Sequence, residues 1–168
     1  MYQNKKPQPG PSLKGRALRL LSNREHSTLE LTKKLKDHAQ TPQELAQVLE
    51  WLQTKGFINE QRVLESVLYR RSAKLGFARV AQELQEKGLD AHAIQQAVTD
   101  LKSTEAERAK AVWEKKFKEK ATSAIDKSKQ MRFLLSRGFA PSVVHQVVNK
   151  TKRSSGETYT DKDEYDLS

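Results

Sequence analysis

Apolar side chains recur along this chain at steps of three and four residues, the spacing that gathers them on one face of an α-helix. Leu13, Ala17, Leu20 and Leu21 outline a first helix ending near Ser22-Asn23. Ser27-Thr28-Leu29-Glu30 reads as a capping box, Ser followed by Glu three residues on, opening a second helix through Leu31 and Leu35. Thr41-Pro42 offers a cap and a first-turn proline to a third, carrying Leu45, Val48, Leu49 and Leu52 until Lys55-Gly56 stops it. Asn59 caps a fourth helix through Leu64, Val67 and Leu68. Gly76 precedes a fifth, with Phe77, Val80, Ala81 and Leu84, which Lys87-Gly88 ends, and Asp90 caps a sixth with Ile94, Ala97, Val98 and Leu101. Ala106, Ala109, Trp113 and Phe117 mark a seventh, Ile125 to Leu135 an eighth closed by Arg137-Gly138, and Pro141 starts a ninth. No sustained apolar/polar alternation bounded by turns competes as strand.

The pattern also repeats on a longer scale. Leu84-Gln85-Glu86-Lys87-Gly88-Leu89-Asp90 returns 50 positions later as Leu134-Leu135-Ser136-Arg137-Gly138-Phe139-Ala140, and Ile94, Ala97 and Val98 fall on Val144, Val147 and Val148. Shifted 49 positions the other way, Leu84 falls on Leu35, and Ile94, Ala97, Val98 and Leu101 fall on Leu45, Val48, Leu49 and Leu52. Three copies at a near-constant period predict an all-α chain of three tandem three-helix repeats, over residues 13–57, 58–102 and 103–150. Helices of about three turns do not persist alone and must share apolar faces. Units stacked mainly on their neighbours favour an elongated, curved array. Residues 1–12, polar and proline-rich, read as a flexible arm, and 151–168 as a disordered tail.

Composition sharpens this picture. Only 36% of residues are hydrophobic and 31% are charged, so the core must be thin. The net charge of +10 understates the body, because residues 157–168 hold five acids against one base, a net of −4, which leaves +14 for the rest. Such a surface suits polyanionic partners. There is no cysteine, hence no disulfide or thiol chemistry. No apolar run approaches the ~20 residues of a membrane span, and Met1 to Pro11 lacks the apolar core of a secretory signal, so a cytoplasmic protein is expected.

Signatures of catalysis fail on inspection. Gly10-Pro11-Ser12-Leu13-Lys14-Gly15-Arg16-Ala17 has the glycine spacing of a phosphate-binding P-loop, but Arg16 replaces the lysine and Ala17 the magnesium-binding hydroxyl. The histidines His26, His38, His92 and His145 stand singly, with His26 and His38 read as surface or turn residues. Acids interleave with bases at helical spacing, as Glu114 with Lys118, the pattern of a solvated face. We expect no enzyme, cofactor or metal. Trp51, Trp113, Phe77 and Phe117 lie on the apolar stripes and are expected in the core instead of on a base-stacking platform.

Basic residues gather in three places: Arg16, Arg19 and Arg24; Arg62, Arg70, Arg71, Lys74 and Arg79; and Lys110, Lys115, Lys116, Lys118, Lys120, Lys127, Lys129 and Arg132. Helical spacing predicts that Arg70, Arg71 and Lys74 share a face. Arg16, Arg19, Arg24, Arg62, Arg70, Arg71, Lys74, Arg79, Lys115, Lys116, Lys129 and Arg132 are the candidate contacts to a partner.

Four segments resemble a known family. Arg24-Glu25-His26-Ser27-Thr28-Leu29-Glu30-Leu31-Thr32-Lys33-Lys34-Leu35 is similar to the R-x-H-S-x-x-E-L-x-x-K-L stretch of the RecX regulatory proteins. Gly56-Phe57-Ile58-Asn59-Glu60-Gln61-Arg62 resembles their G-[FYL]-[LI]-[DN]-[DE]-x-R turn, with Val63 where an aromatic is usual. Gly76-Phe77-Ala78-Arg79-Val80-Ala81-Gln82-Glu83-Leu84, running into Lys87-Gly88-Leu89, resembles their G-x-x-R-[IVL]-x-x-x-L…K-G-[IL], and Phe133-Leu134-Leu135-Ser136-Arg137-Gly138-Phe139 their F-L-x-x-R-G-[FY]. The four occur in order across about residues 13–150; the acidic tail lies outside the pattern. The resemblance implies a three-repeat helical protein that binds the RecA recombinase in the groove of its filament on single-stranded DNA and restrains its ATPase, strand-exchange and coprotease activities. It supplies no catalytic residues. The alternative reading, from charge, is a basic helical protein that binds single- or double-stranded nucleic acid directly, independent of RecA; a monomer is expected, and no membrane partner.

Overall fold

The computed structural model describes residues 10–150. Residues 1–9 of the expected arm over 1–12, and the expected tail over 151–168, lie outside the described residues. Among those described, nine α-helices and no strand occur: α1 Leu13–Asn23, α2 Thr28–Leu35, α3 Pro42–Thr54, α4 Glu60–Arg71, α5 Phe77–Glu86, α6 Ala91–Ser103, α7 Glu105–Phe117, α8 Ala124–Leu135 and α9 Pro141–Lys150. A short 3-10 turn, Lys36–His38, extends α2.

The helix starts lie where polar side chains can satisfy orphan amides. Ser27 and Glu30 form both halves of the capping box, and Thr41, Asn59 and Asp90 accept from the third amide of their helices. Two further caps were hidden in the sequence. Ser12, within the expected arm, accepts from the Gly15 amide, so the apparent phosphate loop is a cap and the first turn of α1; Ser123 accepts from Asp126 and opens α8.

Three apolar clusters form in chain order. Leu13, Ala17, Leu31, Leu35, Val48, Leu52 and Ile58 make the first. Val63, Leu64, Val67, Val80, Leu84, Leu89, Ile94, Ala97 and Leu101 make the second. Ala109, Trp113, Leu134, Phe139, Val144, Val147 and Val148 make the third. Each fully buried Leu or Val contributes roughly 1.5–3 kcal/mol, and this burial outweighs the weak intrinsic stability of such short helices. Trp113 is buried and donates from Nε1 to Gln130 Oε1 at 3.0 Å, while Trp51, Phe77 and Phe117 pack at the margins of their clusters. The fold is a tandem array of three helical units.

Between units the contacts are polar and close. The Gly76 amide donates to the Arg137 carbonyl at 2.9 Å, and a Cβ built on Gly76 would sit 2.1 Å from the Gly138 carbonyl oxygen. Only glycine lets the turn before α5 lie against the turn before α9.

Two expectations are refined. His26 is a turn residue, between α1 and α2, but not a surface one: it is 3% exposed, with Nδ1 3.0 Å from the Arg24 carbonyl oxygen. Its burial, with the Arg24 charge beside it, lowers its pKa despite that hydrogen bond. Glu114 pairs with Lys110 at 3.7 Å and not with Lys118, because Lys118 follows the end of α7 at φ 54°, off the helical face.

Candidate interaction surface

Two polar junctions hold the units in place, and they decide which cations remain available to a partner. The first is built on Glu30, at the start of α2. Its Oε2 accepts from the Ser27 amide at 3.0 Å, closing the capping box. Its Oε1 accepts from Arg24 Nη2 at 2.9 Å and from Lys87 Nζ at 2.7 Å. Lys87 caps the C-terminus of α5, so this one carboxylate ties α2 to a helix of the next unit. Partial burial pushes the Glu30 carboxyl up, but the hydrogen bonds from Arg24, Lys87 and Ser27 outweigh it and bring the pKa down to about 2. Alongside, Arg62 Nε donates to Glu25 Oε1 at 2.9 Å, and its Nη2 to the carbonyls of Gly56 and Phe57 at 3.0 and 3.2 Å.

The second junction is built on Arg108 and Glu105, both on α7. Arg108 Nη1 donates to the carbonyls of Ser72 at 2.7 Å and Leu75 at 2.6 Å, and Nη2 to that of Leu101 at 2.7 Å. These oxygens belong to the turn after α4 and to the end of α6, where helix carbonyls lack intrahelical partners. One guanidinium fork therefore closes both ends against α7. Glu105, 2% exposed, accepts the Phe77 amide on Oε1 at 3.1 Å and so caps α5 from the neighbouring unit.

The candidate cations divide accordingly. Arg24 and Arg62 are held by Glu30 and Glu25 in the first junction. Arg71 pairs with Glu83 at 2.8 Å and, with Arg79, faces a concavity of about 780 Å³ between α2 and α5. That concavity mixes signs: Lys33, Arg71, Arg79 and Lys87 alternate with Glu30, Glu83 and Glu86. Arg16 and Arg19 line a smaller cleft of about 270 Å³ with Lys34 and His38. Lys74, Lys115 and Lys116 meet Arg137 in a groove of about 550 Å³ whose other walls are Ala73, Ala111, Val112 and Phe133, without an acidic residue. Arg70, Lys129 and Arg132 stay apart: Arg70 donates to the Ser66 carbonyl at 3.0 Å, Lys129 lies 3.5 Å from Asp126, and Arg132 turns to Ser128 at 3.4 Å.

Arg71 and Lys74 line different depressions, Arg71 the mixed-sign concavity and Lys74 the basic groove. Helix α4 ends at Arg71, and the amides of Lys74 and Leu75 both donate to the Arg71 carbonyl at 2.9 Å in the turn beyond. Arg137 is the groove residue that the sequence hid. Its pairing with glycine marked a helix stop, yet its guanidinium lies 3.6 Å from the Phe133 ring centroid and lines the groove. Among the described residues no group of His, Cys, Asp or Glu could hold a metal, and no helix is long and apolar enough to cross a membrane.

Comparison with known proteins agrees with this architecture. Residues 14–52 match the model of the first three-helix domain of RecX, and residues 103–148 that of the third. A Regulatory protein RecX of Leptothrix cholodnii is 46% identical over 140 residues, covering 83% of this chain and 89% of that protein. One from Ralstonia pickettii is 40% identical over 142 residues, covering 84% and 89%. Two solved structures share the fold: a crystal structure of regulatory protein RecX (TM-score 0.66, 23% identity, 82% of this chain and 72% of that one) and RecX from Lactobacillus salivarius (TM-score 0.63, 19% identity, 82% and 93%). With identity this high over most of both chains, and with the helical units laid out as the family's are, the chain belongs to the RecX family of regulatory proteins.

Proposed function

We propose that this chain is a cytoplasmic, monomeric regulator that binds the RecA filament on single-stranded DNA and restrains its ATPase, strand-exchange and coprotease activities without catalysing a reaction. The observation that carries this reading is the 46% identity, over 83% of the chain, to a protein named Regulatory protein RecX. The surface supports it physically. A tandem array with fixed junctions offers one long face, and a body of +14 accelerates encounter with a polyanionic assembly. The mixed-sign concavity between α2 and α5 suits a protein surface, where both charges can be matched. Adding substoichiometric protein to RecA on single-stranded DNA should depress both ATP hydrolysis and strand exchange; no change in either would overturn the reading.

The groove of Lys74, Lys115, Lys116 and Arg137 favours a second reading, direct binding to nucleic acid. Four cations without an acid match successive phosphates, and such binding weakens steeply as salt rises. Tight binding to an oligonucleotide without RecA, with a steep salt slope, is its expected outcome; weak and salt-insensitive binding excludes it.

A further inference from the structure

The groove between the turn after α4 and helices α7 and α8 carries a charge and an apolar lining that this chain itself can match. We infer that its acidic segment 157–168 docks there in cis and covers Lys74, Lys115, Lys116 and Arg137. Three observations carry the inference. The first is complementarity of charge: the groove holds four cations and no acid, and the segment nets −4 through Glu157, Asp161, Asp163, Glu164 and Asp166. The second is complementarity of apolar surface. Ala73, Ala111, Val112 and Phe133 line the groove between the cations, and the segment interleaves Tyr159, Tyr165 and Leu167 with its acids. A bare phosphate chain would use only the cations. A peptide of this composition uses both.

The third observation is where the segment departs. Near the end of α9, the Asn149 carbonyl accepts from Lys120 Nζ at 3.3 Å. Lys120 is four residues beyond Lys116, in the chain that leaves the C-terminus of α7. At most about 15 Å of backbone therefore separates Lys120 from Lys116 at the groove's edge, to which the length of the Lys120 side chain adds. Residues 151–156 alone can span roughly 20 Å, and 151–168 roughly 60 Å. The cleft of Arg16 and Arg19 is also free of acids, but it is half the size and lies in the first unit, far from α9 in the chain. A short tether gives an effective concentration in the millimolar range, so a contact of about 1 mM affinity in trans is roughly half-occupied in cis. Docking also hides the cations that a polyanionic partner would use; that consequence, unlike the docking itself, rests on the function proposed above.

The test needs no partner. Because the chain has no cysteine, Ser168→Cys gives a unique site for a spin label on the full-length protein. At 50 mM salt, amide broadening concentrated on residues 73–74, 111–116 and 133–137 is expected, with loss of that broadening at 1 M salt as the Debye length falls to about 3 Å. Replacing the five acids with their amides in the same chain should abolish it, and should strengthen binding to a single-stranded oligonucleotide several-fold. Broadening that is absent or evenly spread, that falls on Arg16 and Arg19, or that persists in the amide variant overturns the inference. So does broadening transferred to unlabelled-site copies in a mixed sample, which would place the contact between molecules. None of these outcomes depends on RecA, so the regulatory reading stands or falls separately.

Discussion

Lys87 Nζ lies 2.7 Å from Glu30 Oε1, joining the end of α5 to the start of α2 across 57 residues of sequence. Both side chains are mostly shielded, at 11% and 17% exposure, so the pair is screened far less than a surface ion pair. Removing one partner leaves the other poorly solvated. Lys87→Met is expected to cost about 1–3 kcal/mol, with Glu30→Gln similar, because Arg24 and the Ser27 amide keep Glu30 partly satisfied. The loss in the double variant should be smaller than the sum of the two single losses, and a denaturant double-mutant cycle measures the coupling. Strict additivity would count against a direct pair.

The same carboxylate predicts a pH dependence. Its folded pKa is depressed from 4.5 to about 2, so the unfolded chain takes up the proton first as pH falls. The stability Glu30 contributes is complete above about pH 4.5 and is lost as pH drops towards about 2. The urea midpoint of the native protein should fall across that window more steeply than that of Glu30→Gln. Parallel profiles for the two proteins would contradict the assignment.

Much of the fold was legible because its determinants are local. A capping box, a proline at the first turn or a glycine beyond the last needs no knowledge of distant residues, and Ser27, Thr41, Asn59 and Asp90 cap the helices their spacing predicted. The repeat supplied the rest of the architecture. What sequence could not show is how cations are shared out. Arg62 looks as available as Arg79 until Glu25, 37 positions away, is placed against it. Glu30 reads as half of a cap, and only the folded chain reveals that Lys87 uses its other oxygen.

Glycine at the seam between the second and third units is a steric requirement. Gly76→Ala would press a Cβ against the Gly138 carbonyl, and both sides are backbone, so neither can yield cheaply. A loss of at least about 1–3 kcal/mol is expected, as for overpacked cores. Gly56 is the control. It is left-handed at φ 71° but has nothing within 4 Å of a built Cβ, so Gly56→Ala should cost only the backbone strain of about 1–2 kcal/mol, and Gly56→Asn less. Hydrogen exchange in Gly76→Ala should rise first in α5 and α9, whose preceding turns meet at the seam; uniform destabilisation would argue against a local seam.

Arg108 tests whether the second junction depends on fork geometry or on charge. Arg108→Lys keeps the cation, but a single ammonium cannot serve the carbonyls of Ser72, Leu75 and Leu101 together. The conservative change should therefore cost nearly as much as Arg108→Met, about 1–3 kcal/mol by thermal or chemical denaturation. Near-native stability in the lysine variant would show that charge alone suffices.

Cations already committed to the fold and cations left free should separate cleanly in a charge-reversal series. Arg62→Glu opposes Glu25 and strips donors from the Gly56 and Phe57 carbonyls, so it should act on stability, lowering the melting temperature by several degrees at about 2–4 °C per kcal/mol for a chain of this size. Among the described residues no carboxylate lines the groove of the exposed Lys74, Lys115 and Lys116. Reversing all three to glutamate should leave circular dichroism and the melting temperature nearly unchanged and, on the function proposed above, weaken association with the RecA filament tenfold or more. Because their charges act through the field at the groove, the loss should shrink as salt rises and the native interaction is itself screened. Arg71→Glu falls between these classes, since it breaks the Glu83 pair and inverts one wall of the mixed-sign concavity. If the concavity is the protein-binding face, that single change should reduce RecA inhibition without altering oligonucleotide binding; equal losses in both assays would assign the two activities to one surface.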